Sequence, residues 1–298
     1  MSPEITDRIP GIVRKLSRRN SAKTIGAILV ETGRLSALDA ERIIHLQKEI
    51  NLSFGAAGME LGLLSRADVD FALAQQYDYP YLIDAGELRV SNDLVAALLP
   101  FSAPVESLRA LRSQLVLRWF NNRENSHALA VIGPQRGDGR SYLVANLAIV
   151  FSQLGQRTLL IDADMRNSRQ HTLFVLANGN GLSSVLSGRR QLDSIQRIEN
   201  FTNLSILTAG PRPPNPQELL GRDAFADLLD ECEEEFDVVL IDTPAGNDYA
   251  DAQTVCVLAG GAILAARRNH TSLSDANRMS SDLSRHGVQM LGVVLSEF

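Results

Sequence analysis

From Val105 to the end of the chain, short and wholly apolar runs alternate with longer segments whose apolar positions recur every three to four residues. The first pattern suits strands buried on both faces and the second suits helices that cover them. The spacing therefore predicts an α/β fold, a doubly wound and mostly parallel sheet. Expected strands cover residues 128–132, 158–161, 204–207, 238–241, 262–266 and 291–295, with a helix over 141–154 as the first crossover.

The amino-terminal part is patterned differently. Gly26, Ala27, Glu31, Gly33, Leu35, Ser36, Asp39 and Gln47 match Gly55, Ala56, Glu60, Gly62, Leu64, Ser65, Asp68 and Gln76 at one constant offset. Each copy reads as a short apolar helix, a glycine turn and a second helix capped by Ser36 or Ser65. This predicts a small helical domain over 23–82, after a basic tail over 1–22 and before a linker over 83–100. The principal domain then covers 101–298.

With 298 residues, 45% of them hydrophobic, the chain has room for one full-sized α/β domain and a smaller companion. A net charge of -6 offers no general attraction for nucleic acid. The local exception is the basic cluster Arg8, Arg14, Lys15, Arg18, Arg19 and Lys23, which reads as a solvated tail or as a contact for anionic lipid or an acidic partner. Cys232 and Cys256 have no His or Cys neighbours at ligand spacing, which argues against a disulfide framework or a local zinc motif and fits a reducing cytoplasm. No apolar run reaches the roughly 20 residues of a membrane span, and the first residues lack a signal-peptide pattern. The expected location is cytoplasmic, peripheral at the inner membrane only through a partner.

Candidate chemistry begins where the first strand runs into Gly133-Pro134-Gln135-Arg136-Gly137-Asp138-Gly139-Arg140-Ser141 and then a helix, the context of a phosphate-binding loop. Gly137 and Gly139 let the loop turn its N–H groups inward, and the helix N-terminus adds partial positive charge. Ser141 stands where a hydroxyl would ligate Mg²⁺. Gly137, Asp138, Gly139, Arg140, Ser141 and Tyr142 are the candidate ATP-binding residues. Pro134 departs from the general motif, and Arg140 replaces the usual lysine with a planar fork. Further along, Asp162 and Asp164 follow the second strand, and Asp242 follows a later one. Ligands in such sheets lie beyond the carboxyl ends of the strands. Ser141, Asp162 and Asp242 are thus expected to hold Mg²⁺, and Asp164 to orient or deprotonate an attacking hydroxyl. Asp162, Asp164 and Arg140 form the candidate catalytic set.

These motifs resemble the bacterial tyrosine kinases that control exopolysaccharide and capsule chain length. The resemblance rests on Asp162-Ala163-Asp164-Met165-Arg166 together with the segments 106–112, 181–188 and 209–220, in order over about two-thirds of the chain. The whole arrangement is similar to the EpsG-type chain-length determinant kinases, and the repeat resembles the N-terminal domain of secretion and pilus assembly ATPases. The kinase resemblance implies ATP and Mg²⁺ as cofactors and activation by the cytoplasmic tail of a membrane polysaccharide copolymerase. It also implies a homo-oligomer joined through Glu106, Arg109 and Arg112, which share one helix face at i, i+3 and i+6. The repeat resemblance implies cyclic di-GMP or a protein partner, although Thr24-Ile25-Gly26 and Ser53-Phe54-Gly55 lack the arginine of the messenger-binding opening.

Two departures bear on activity. No tyrosine follows Tyr249 where the family carries a C-terminal cluster, leaving Tyr142 and the group Tyr77, Tyr79 and Tyr81 as candidate acceptors. Ser296 stands where related ATPases place an asparagine near the adenine. A nucleotide-gated scaffold of the export machinery and a partition or cell-division regulator ATPase are the competing readings. The latter expects a lysine where Gln135 stands.

Overall fold

The computed structural model describes residues 23–76, 90–121, 128–188 and 194–297. The basic tail, the tyrosines at 77, 79 and 81 and the first part of the expected linker lie outside the described residues. The chain divides into two compact units, Met1–Tyr79 and Pro80–Phe298.

In the first unit four helices follow the two-copy pattern: α1 (Ile25–Glu31), α2 (Ala37–Ile50), α3 (Phe54–Glu60) and α4 (Arg66–Gln76). Thr24 and Ser53 cap α1 and α3, and Ser36 caps α2 by accepting the Asp39 N–H at 3.1 Å. Ser65 likewise accepts the Asp68 N–H at 3.2 Å. Leu29, Ile43, Ala57 and Ala72 form the fully enclosed centre of a small core. Gly58 breaks the internal repeat for a packing reason: a Cβ there would lie 2.4 Å from Leu64 Cδ1 and 3.1 Å from Ile43 Cδ1.

The second unit is a seven-stranded sheet: β1 (Ala128–Ile132), β2 (Thr158–Asp162), β3 (Gln196–Arg197), β4 (Leu204–Leu207), β5 (Val238–Asp242), β6 (Gly261–Arg267) and β7 (Gln289–Ser296). Their order is β3-β4-β2-β5-β1-β6-β7, parallel throughout except for the β3–β4 pair. The helices are α5 (Val95–Leu98), α6 (Ala103–Leu115), α7 (Arg140–Gln153), α8 (Gln170–Leu173), α9 (Leu182–Leu186), α10 (Pro216–Leu220), α11 (Asp223–Glu235), α12 (Asp251–Ala259) and α13 (Leu273–Arg285). A π-helical turn, Val116–Phe120, continues α6.

Side chains alternate across the central strands as a period of two requires. Ala128, Ala130, Ile132, Leu159 and Ile161 pack on one face with α11 and α12. Leu129, Val131 and Leu160 pack on the other with α6 and α7. Buried on nearly every side, α7 carries the phosphate loop at its N-terminus on a rigid element.

Three expectations change. Part of the supposed linker is core: Leu94 and Ala96 are fully enclosed, and the buried Asn146 of α7 accepts the Ala96 N–H at 2.8 Å. The pair β3 was not expected because two polar residues carry no periodic signal. And β7 is not buried on both faces, for it closes one edge of the sheet and leaves Val293 and Leu295 exposed. Cys232 and Cys256 are both buried, and burial pushes the Cys232 thiol up to about 12, which keeps it protonated and inert.

Candidate active site

The loop between β1 and α7 turns through two left-handed positions, Gly137 at φ +86° and Gly139 at φ +90°, where a side chain would be strained. Its shape is set from inside. The enclosed Asp138 carboxylate accepts the Gln135 N–H at 2.6 Å and the Thr271 hydroxyl at 2.5 Å. His270 meets the Arg136 carbonyl at 2.8 Å. Asp138 thus braces the loop from the side of the segment after β6, and its side chain does not line the cavity in front of the loop. The carboxylate thereby satisfies buried donors of the protein.

In front of the loop lies a cavity of about 550 Å³ lined by Gly137, Gly139, Arg140, Ser141, Tyr142 and Asp164, with Asp93, Arg169 and Tyr249 also on its walls. Arg140 is buried and woven into the loop itself. Its Nε donates to the Thr243 carbonyl at 2.9 Å, and Nη1 donates to the Gly133 and Gln135 carbonyls at 3.1 and 2.6 Å. A lysine ammonium could not span these three acceptors in one plane. Only Nη2 is left for a ligand. Tyr142 is half-buried, and burial together with the nearby Asp93 carboxylate pushes its phenol above the ordinary value.

The aspartates expected at the strand ends are all buried, but their surroundings differ. Asp162 and Asp242 are register partners on adjacent strands. Asp162 accepts the Asp164 N–H at 3.2 Å through Oδ1 and the Arg169 and Gln170 N–H groups at 3.1 and 3.0 Å through Oδ2. Asp242 Oδ2 accepts Gln170 Nε2 at 2.7 Å, while its Oδ1 is buried with no hydrogen-bond partner. Burial first, then the Asp242 charge, hold the Asp162 carboxyl well above the usual range. Burial raises Asp242 to about 6 against the opposing pull of Gln170, the Ser141 hydroxyl and Arg140. Asp164, which lines the cavity, accepts the Arg166 and Asn167 N–H groups at 3.2 and 2.8 Å through Oδ1.

Such an arrangement fits a phosphate-bound cation. An enclosed carboxylate oxygen without a donor costs on the order of 1–3 kcal/mol, more for a charge, unless a ligand satisfies it. Among the described residues no three acidic, histidine or cysteine side chains gather into a metal cluster. A cation would therefore lean on Ser141, Asp242, phosphate oxygens and water, which is how Mg²⁺ is usually held. Backbone amides already reach both oxygens of Asp162, whereas Asp242 Oδ1 has no hydrogen-bond partner.

Several supporting residues were not singled out from the sequence. Arg166 forms a bidentate ion pair with the fully enclosed Asp251 at 2.7 and 3.1 Å and lies 3.9 Å over the Tyr249 ring, tying the segment after β2 to α12. Gln170, also fully enclosed, reaches both strand-end carboxylates. Position at a helix start is the only cue to Asp251, and nothing in the sequence pattern marks Gln170. Of the residues expected at an oligomer contact, Glu106 pairs with Arg109, and Arg112 donates to the Val150 carbonyl of α7 at 2.5 Å.

A glycine loop between the central strand of a parallel sheet and a buried helix, with carboxylates at the neighbouring strand ends, defines a P-loop NTPase-like protein. No protein-family model matches the chain, but it is 33% identical over 208 residues to the tyrosine-protein kinase YwqD of Bacillus subtilis, covering 70% of this chain and 87% of that one. The chain belongs to the bacterial tyrosine-kinase family. The kinase domain of Escherichia coli tyrosine kinase ETK superposes with a TM-score of 0.65 at 32% identity, over 68% of this chain and 79% of that one. The chimerical protein CapA2B2 gives 0.64 at 32% identity, over 75% and 96% of the respective chains. Among the described residues no helix is long and apolar enough to cross a membrane.

Proposed function

We propose that this protein is an ATP- and Mg²⁺-dependent protein tyrosine kinase, acting on itself, that regulates exopolysaccharide chain length and export. One observation carries the reading: Asp164 lines the same cavity as Ser141 and the phosphate loop, beside an enclosed Asp242 oxygen that makes no hydrogen bond. Loop N–H groups would hold the phosphates, Ser141 and Asp242 would ligate the cation, and Asp162 would act through water. The bound cation supplies charge neutralisation on the phosphates. Asp164 Oδ2 would take the proton from a tyrosine hydroxyl. Arg140 Nη2 would face the transferred phosphoryl group, and Tyr142 would flank the nucleotide.

The same reading assigns the cytoplasmic tail of a membrane polysaccharide copolymerase as activator, which would hold the protein at the inner membrane. It also assigns α6, with Glu106, Arg109 and Arg112, to a homo-oligomer contact. At the repeat unit, hydroxyl caps in place of arginines favour a protein partner over cyclic di-GMP. The kinase reading is tested by incubating purified protein with labelled ATP and Mg²⁺, with and without the copolymerase tail, and mapping phosphotyrosine. Transfer of label is expected; binding of ATP without transfer in either condition overturns the kinase reading.

A second reading, a nucleotide-gated scaffold, draws on Arg140, whose guanidinium is committed to two carbonyls of its own loop and to that of Thr243 after β5. Loss of label with retained nucleotide-dependent assembly would select it. The partition-type regulator is disfavoured because Gln135 is neutral and its amide donates to Asp275 of α13 at 3.2 Å.

A further inference from the structure

Gln170 has no role in the reading above, yet it is the residue on which the two strand ends meet. It opens α8, and its side chain is fully enclosed. Its backbone N–H donates to Asp162 Oδ2 at 3.0 Å, and its Nε2 donates to Asp242 Oδ2 at 2.7 Å and to the Ser141 carbonyl at 3.2 Å. Both side-chain partners are acceptors, so the orientation of the amide is fixed by its surroundings. One residue therefore holds a carboxylate on β2, a carboxylate on β5 and the first turn of α7.

The consequence concerns the direction in which Asp242 presents its other oxygen. Oδ2 is held by the amide, and Oδ1 is left enclosed and without a hydrogen-bond partner. Enclosing an amide whose own Oε1 also lacks a partner is costly, so packing alone does not account for a glutamine here. A methionine would fill the same space at no such cost. An asparagine, one methylene shorter, would not reach both acceptors.

We propose that Gln170 is a positioning residue for the cation that accompanies the nucleotide: it fixes Asp242 and Ser141 relative to each other so that Asp242 Oδ1 is preset to receive Mg²⁺. This rests on the nucleotide-binding reading of the same cavity and adds to it the residue that orients the cation ligands. Second-layer partners of this kind commonly alter metal affinity by about 10–100-fold when removed.

The test measures the affinity of a fluorescent ADP analogue across a Mg²⁺ titration and in EDTA, for the wild-type full chain, Q170M, Q170N, D242N and the double variant Q170M/D242N. In the wild type Mg²⁺ should tighten nucleotide binding. In Q170M and Q170N that tightening should fall by about tenfold, with affinity in EDTA within about twofold of wild type. In the D242N background Q170M should add less than about a twofold change, because Gln170 acts through Asp242. A merely structural role would lower the melting temperature and weaken binding equally with and without Mg²⁺. Undiminished Mg²⁺ tightening in either folded Gln170 variant overturns the proposal, as does an equal loss in EDTA. A wild-type protein that binds no nucleotide overturns the underlying nucleotide-binding reading instead. Should Q170M not fold, Q170N keeps the amide and its solvation while shortening its reach.

Discussion

In the helical repeat unit, Arg34 pairs with Asp68 at 3.1 Å and lies 4.2 Å over the Phe71 ring, and no polar or charged side chain described there is fully enclosed. The P-loop unit encloses Asp138, Arg140, Asp162, Asp164, Gln170, Asp242 and Asp251, all at or beside one loop. The first arrangement is what folding alone favours, since charges kept at the rim avoid desolvation. The second opposes folding unless each charge finds a partner, and one oxygen of Asp242 finds none. Buried charge without full compensation marks where the molecule expects a ligand, and the repeat unit carries no such mark among its described residues.

The contrast can be tested where it is largest. Asp164→Asn keeps an acceptor for the Arg166 and Asn167 N–H groups but removes the base. Turnover is expected to fall by about 10²–10⁴-fold with nucleotide affinity nearly unchanged, read by phosphate release and by titration of a fluorescent nucleotide. Unchanged turnover would remove Asp164 from its role. Asp251→Ala leaves the Arg166 guanidinium without its bidentate partner and should destabilise the P-loop unit by about 3–5 kcal/mol in a urea melt. A loss below about 1 kcal/mol would mean that the pair behaves as a surface bridge.

Asp242 offers a change of opposite sign. An acid raised to about 6 on folding favours the protonated form of the native state. Its stabilising contribution is complete below the unfolded value near 3.8 and is lost as pH rises through about 6. In EDTA the protein should therefore melt higher at pH 5 than at pH 7.5. Asp242→Asn should raise stability at pH 7.5 by about 1–3 kcal/mol and flatten that slope while abolishing the Mg²⁺ effect on nucleotide binding. A destabilised variant would show that Asp242 is compensated within the protein after all.

Smaller effects belong to the repeat unit. Gly58→Val forces a side chain against Leu64 and Ile43 and should cost that unit about 1–3 kcal/mol, with nucleotide binding by the other unit unaltered. A matching loss of nucleotide affinity would break the separation drawn between the two units. Calorimetric titration with cyclic di-GMP should give no heat, because Thr24 and Ser53 cap their own helices where arginines would be needed. Measurable binding would place a ligand site in the unit that lacks buried charge.

Much of this architecture was legible along the chain for identifiable reasons. The phosphate loop is local, and its glycines, hydroxyl and following helix are contiguous. The repeat could be read because its caps and turns recur at fixed spacing. Where the Asp138 side chain goes was not legible, because a glycine loop looks the same whether its carboxylate points outward or is held by Thr271, far along the chain. Likewise, Glu106, Arg109 and Arg112 share a helical spacing, but whether Arg112 faces outward depends on the carbonyl of α7 beside it.

By itself, then, the sequence determined the alternation of strand and helix, the phosphate loop, the aspartates that follow β2 and β5, and the two-copy helical unit. These are patterns of near neighbours, set by backbone periodicity and by the conformational freedom of glycine. Only the tertiary structure decided which carboxylate oxygen remains open and that Arg140 and Asp138 brace the loop. It also decided that residues 94–98 are core and that Gln170 spans two strands. Those outcomes depend on which donors and acceptors become enclosed together, a consequence of long-range packing and desolvation that no local spacing records.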